Sequence, residues 1–189
     1  MTAASLAWEL DRAGGIVAYL LLSVAVLVGI GLAGRASFTW PRFAVDDVHR
    51  FLGILAGAFI AVHVAATLAA GLALRQAVVP FAGGYEQAAT GFGVIATELL
   101  LALAVTNRLR KRMPYHLWRR LHMLNLVVWL AATVHAFAAS GRHVPELFVM
   151  VEGATTALVV GAFVWRLRDT ALARLLDPAT PARGGSPGT

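Results

Sequence analysis

The chain contains no cysteine. That absence excludes disulfides, thiolate-bound iron–sulfur clusters and heme attached through thioethers, all of which need the sulfur. Any transition metal here must be held by histidine. Charge is also scarce: Asp, Glu, Lys and Arg make up 14% of the 189 residues, hydrophobic residues make up 59%, and mean hydropathy is +0.72. Soluble globular domains carry about a quarter charged residues, so this composition is that of an integral membrane protein. A crossing takes about 20 apolar residues, so the length allows one bundle of a few spans and leaves no room for a further catalytic domain.

Five apolar windows are present, at residues 14–33, 48–74, 90–106, 117–140 and 147–167. Without water, each must satisfy its own backbone hydrogen bonds, so each is expected to be a helix and the fold to be an all-α transmembrane bundle of about five spans. The first window is too long for a signal peptide, and Glu9 and Asp11 stand before it with only Arg12, so it reads as a retained span. Residues 1–13 form a leading segment. Residues 168–189 end in DPATPARGGSPGT, the composition of a disordered tail.

Orientation follows from the basic residues, which favour the cytoplasmic side. Of the 16 Lys and Arg, thirteen fall on one side: Arg35, Arg42 and Arg50, then Arg108, Arg110, Lys111, Arg112, Arg119 and Arg120, then Arg166, Arg168, Arg174 and Arg183. Only Arg12, Arg75 and Arg142 fall on the other. The amino terminus and the 1–13 segment are therefore expected outside, and the carboxyl-terminal tail in the cytoplasm of what reads as a bacterial plasma membrane. The net charge of +6 is this topological asymmetry and requires no nucleic acid.

Histidines occur at matched depths in two of the windows. His49 and His63 are fourteen residues apart on the second helix, about 21 Å along the axis and close to one face. His122 and His135 are thirteen apart on the fourth, which runs in the same direction. Ionisable residues inside a membrane are rare and functional by default. Four of them at two depths fit heme iron held between neutral imidazoles, His49 with His122 at the inner level and His63 with His135 at the outer. One feature opposes this: thirteen residues of straight helix turn about 220°, which puts His122 and His135 on different faces.

The His-x13-His segment, the His-x12-His segment two helices later and the Trp118–Arg119–Arg120–Leu121–His122 string together resemble the ferric reductase-like transmembrane domain. That domain is shared by ferric reductases, NADPH oxidases and the heme-binding membrane subunit of periplasmic methionine sulfoxide reductase. The resemblance covers about residues 14–167. It implies that His49, His63, His122 and His135 are axial ligands of two b-type hemes, and that the chain is a transmembrane cytochrome b carrying electrons to an extracytoplasmic acceptor. The chain departs from the family in two ways. One helix fewer appears than the usual six, and no flavin- or nucleotide-binding domain with a Gly-rich fingerprint follows residue 167. A cytoplasmic flavoprotein or the quinol pool is therefore the expected donor, and the chain is expected to act as an electron-transfer component of an oxidoreductase. The same departure makes the membrane subunit of a periplasmic molybdopterin methionine sulfoxide reductase an alternative. An alternative of another class is a transporter that uses the histidines to bind a metal or relay protons; it requires acidic ligands at their depth.

Other residues have two readings each. Arg50, Arg112, Arg119 and Arg120 inside, and Arg142 and His143 outside, either pair with heme propionates or only set topology. Glu98, deep in the third window, is either a protonated hydrogen-bonded residue or a stop on a proton path. Gly53 and Gly57 admit either a flat macrocycle or a neighbouring helix. Trp129 and Phe59, between the two histidine levels, read as packing. Glu152 reads as interfacial, and His116 as a surface residue or a donor to another ligand.

Overall fold

The computed structural model describes residues 3–34, 40–83, 86–140 and 146–176. All regular structure among them is helical. Helix α1 is Ala3–Ala33, α2 Arg42–Ala69, α3 the single turn Leu74–Val78, α4 Gln87–Arg108, α5 Tyr115–Met123, α6 Asn125–Ala139 and α7 Glu146–Leu176. Among the described residues, five stretches are long and apolar enough to cross a membrane: Ser5–Ala33, Arg42–Ala69, Gln87–Arg108, Tyr115–Ala139 and Glu146–Ala171. The chain is a multi-pass membrane protein, and α5 with α6 makes its fourth span.

Helix starts and stops follow local chemistry. Pro41 and Pro114 precede the first turns of α2 and α5, where a residue without an N–H loses nothing. Just beyond α2, Gly71 turns the chain at φ +110°, a left-handed conformation that glycine adopts without penalty. Both terminal helices extend past the apolar windows: α1 takes in Glu9, Asp11 and Arg12, and α7 runs on through Arg168 and Asp169 to Leu176. Once started, a helix carries its backbone hydrogen bonds into more polar sequence for as long as nothing breaks it.

The interior is small and central. Leu22 and Val26 of α1, Ala56 of α2, Leu103 of α4, Val128 and Trp129 of α6 and Val159 of α7 are buried together. Large apolar side chains face outward, among them Ile54 at 74% and Leu101 at 63% exposure, as expected where the surrounding solvent is hydrocarbon. Helix α1 is the hub, packed on α2, α6 and α7, and α4 lies along α6. The two histidine-bearing spans behave differently. Helix α2 follows α1 and does not pack closely along α6, so α2 faces α5 and α6 across a slot.

Candidate metal centre

The fourth span is not one straight helix. Helix α5 ends at Met123 and α6 begins at Asn125. Around Leu124 the bonds tighten to three-residue turns, with the Leu124 N–H on the Leu121 carbonyl and the Val127 N–H on the Leu124 carbonyl, each at 2.9 Å. Asn125 Nδ2 donates to the His122 carbonyl oxygen at 2.8 Å, the kind of local side-chain bond that competes with a regular helix. The break removes the conflict of about 220° that a straight helix imposes between His122 and His135.

The two histidines of this span accordingly meet those of α2. The His49 and His122 rings are 6.0 Å apart between centroids, with planes crossing at 75°. The His63 and His135 rings are 5.9 Å apart and cross at 67°. The first pair lies at the basic end of the bundle, the second about 21 Å further along α2.

Three of the four rings are anchored in the same way. A carbonyl oxygen only accepts, so the ring nitrogen facing it carries the proton. His49 Nδ1–H donates to Ala25 O at 2.9 Å, His63 Nδ1–H to Asp11 O at 2.8 Å and His135 Nδ1–H to Ala89 O at 2.7 Å. In each case a glycine lies four residues after the carbonyl and lets the ring approach. A Cβ on Gly29 would come within 3.1 Å of His49 Cε1, one on Gly15 within 3.0 Å of His63 Nδ1, and one on Gly93 within 2.8 Å of His135 Nδ1. Helix α1 therefore carries the unit twice: Asp11 with Gly15, then Ala25 with Gly29, at the fourteen-residue interval that separates His63 from His49. His122 is held differently. Trp118 stacks on it at 5.2 Å and 26°, fixed by its own Nε1–H on Asn107 Oδ1 at 2.9 Å, and Asn125 Nδ2 lies 3.4 Å from His122 Nδ1.

This geometry narrows the chemistry. Occupying Nδ1 fixes the tautomer and leaves Nε2 with its lone pair, the standard preparation of a metal-binding imidazole. Two imidazoles on opposite sides of one metal, each bonded at about 2.0–2.1 Å, hold their ring centres about 6 Å apart, close to both observed separations. No group of three His, Cys, Asp or Glu side chains able to hold a bare ion occurs among the described residues. Iron in a planar macrocycle needs only two. On α2, open space lies beside Gly53 and Gly57, where added Cβ atoms would meet nothing within 4 Å. The donor set therefore fits heme at both levels.

The family described as ferric reductase-like transmembrane component matches residues 14–134. The chain belongs to that family. Membership marks this ferric reductase-like protein as a membrane electron-transfer component. The matched stretch contains His49, His63 and His122 and stops one residue before His135. Neither a curated protein nor a solved structure matches the chain.

The remaining candidates fall out variously. Arg50 is turned back along its own helix, 3.4 Å from Asp46 and 3.3 Å from Asp47. Arg112, Arg119 and Arg120 are exposed, and no hydrogen bond or ion pair of their side chains is seen among the described residues. His116 is exposed too. Arg142 and His143 lie outside the described residues. Glu98 faces outward from the middle of α4. Glu152, read as interfacial, is buried within the bundle and accepts from Ser140 Oγ, at the end of α6, at 2.9 Å.

Sequence reasoning missed a buried polar cluster between the two histidine levels. Trp129 Nε1–H donates to Ser23 Oγ at 2.9 Å, Tyr19 and Thr156 share a hydroxyl contact of 2.8 Å, and Thr133 Oγ1 donates to Tyr19 at 3.4 Å. Small hydroxyl residues in apolar runs were the available signal. They join α1, α6 and α7 where the sequence suggests only apolar packing.

Proposed function

We propose that this protein is a transmembrane b-type cytochrome that carries electrons across the bilayer through two bis-histidine hemes, from a donor at its basic, cytoplasmic end to an acceptor outside. The observation carrying this reading is the two facing imidazole pairs at two depths, with Nδ1 tied down in three of the four rings. Heme, when bound there, supplies one-electron redox chemistry. The protein's own residues do the rest. His49 with His122 would hold a heme at one level and His63 with His135 at the other, two imidazoles to each, which suits electron transfer more than binding of oxygen or substrate. The carbonyls of Asp11, Ala25 and Ala89 hold the rings in orientation. The lipid-facing apolar surface and the buried core around Val128 and Trp129 keep water from the space between the levels. The donor is a cytoplasmic flavoprotein or quinol that reaches the basic end, beside the His49–His122 pair.

The test is electron passage across a membrane. Heme-loaded protein in liposomes with ferricyanide trapped inside is expected to oxidise dithionite supplied outside, and His63→Ala or His122→Ala to stop this while leaving the protein inserted. Equal rates with and without the histidine pairs would remove the proposal.

A further inference from the structure

The two histidine levels differ in the groups that touch their rings, and one of those groups is charged. His49 and His135 donate only to neutral carbonyls, and His122 lies against a neutral amide and an indole. His63 alone also has a carboxylate: Asp11 Oδ1 lies 3.1 Å from the same Nδ1 that donates to the Asp11 carbonyl. The carboxylate is built into the bundle, with the Asp11 side chain 14% exposed and that of His63 24%. Thr67 holds it in place by donating from Oγ1 to Asp11 Oδ1, while also bonding the His63 carbonyl at 2.8 Å. Asp11 thus comes from α1 and Thr67 from the turn of α2 after His63, so the contact does not depend on a flexible surface side chain.

We infer that Asp11 is a positioning and tuning residue that makes the level far from the basic end the lower-potential of the two, the stronger electron donor at the exit. This rests on the reading of the histidine pairs as heme ligands. An imidazole that donates its Nδ1–H to a carboxylate gives more electron density through Nε2, and a negative charge beside the site opposes the arrival of an electron. Both effects favour the oxidised metal. The neutral carbonyls at the basic end exert neither. An electron leaving the far level is therefore held less tightly than it would be on a neutral ligand set, which suits transfer to an acceptor outside that is itself hard to reduce. Thr67 has the opposite effect, because its hydroxyl draws carboxylate charge away from His63.

The experiment is a spectroelectrochemical redox titration of the full-length, heme-loaded protein in detergent at fixed pH. His63→Ala identifies the wave belonging to the basic-end pair. Asp11→Asn keeps an oxygen that can accept from Nδ1 but removes the charge. It is expected to favour reduction of the far heme by about tenfold, about 59 mV for a one-electron couple, with the basic-end wave unmoved. Thr67→Val is expected to shift the far wave the other way, and it carries the test should Asp11→Asn fail to retain that heme. Asp11→Glu restores the charge and is expected to return the wave toward its original position. Far-heme potentials unchanged in both Asp11→Asn and Thr67→Val, or both waves moving together, would overturn the inference while leaving the heme reading intact. A wild-type chain that takes up no heme would remove both.

Discussion

Substitution of Gly93 by alanine tests most sharply whether the glycines exist to let the imidazoles reach their carbonyls. The new Cβ would lie 2.8 Å from His135 Nδ1 and 2.9 Å from Cε1, about 0.6 Å inside an ordinary contact of about 3.5 Å. The backbone of α4 is fixed by its own hydrogen bonds, so the ring must retreat. The Nδ1–H bond to Ala89, now 2.7 Å, then opens past the range of about 2.7–3.2 Å in which it is effective. A buried N–H losing its partner costs about 1–3 kcal/mol, and 1.4 kcal/mol is a factor of ten, so affinity at the far level is expected to fall about 5- to 150-fold. Loss of an orienting partner typically weakens a metal site by about 10–100-fold, which agrees. The contacts predict an order: Gly93→Ala most severe, Gly15→Ala at 3.0 Å next, Gly29→Ala at 3.1 Å least, with the first two acting on the His63–His135 level and the third on the His49–His122 level. Gly161→Ala, with open space around it, serves as the control. The assay is heme titration into the apoprotein, followed by absorbance, with circular dichroism to show that the helices persist. Full, wild-type-affinity heme loading in Gly93→Ala would refute the reasoning.

Ser23→Ala leaves the buried Trp129 N–H without its acceptor and is expected to destabilise the bundle by about 0.6–2 kcal/mol in a denaturing-detergent titration; an unchanged midpoint would show that this bond is not holding α1 to α6. Trp118→Leu removes the ring stacked on His122 and leaves Asn125 beside its Nδ1. Heme affinity at the basic-end level is expected to fall about tenfold with the far level untouched, and equal affinities at both levels in wild type and variant would assign Trp118 to the surface alone.

The fold was largely readable because hydropathy states the spans and lipid admits only helices. The histidine pairing was readable in depth but not in rotation. His122 and His135 face α2 only because the helix breaks at Leu124, in a His-Met-Leu-Asn run with no glycine or proline to announce it; Asn125 bonding back to the His122 carbonyl was the weak cue. The glycines were legible only in part. Gly53 and Gly57, adjacent in sequence to His49, face open space, whereas Gly15, Gly29 and Gly93, remote in sequence from their histidines, are the ones that touch them. The signal was present, since Gly15 and Gly29 repeat the fourteen-residue interval of the histidines on an antiparallel neighbour, but it needs that neighbour to be known. The burial of Glu152 was hidden for a similar reason: position near a helix end suggests an interface, and only tertiary packing sets it against Ser140 and buries it.

The central claim is that two heme sites exist, each shared between α2 and the fourth span. The most direct measurement is the heme-to-protein ratio, with reduced-minus-oxidised spectra, for the purified chain and for His49→Ala, His63→Ala, His122→Ala and His135→Ala. The account predicts two low-spin hemes in the parent and one in each variant, with His49→Ala and His122→Ala losing the same heme and His63→Ala and His135→Ala losing the other. A chain that binds no heme when heme is plentiful, or variants whose losses pair His49 with His63, would contradict it.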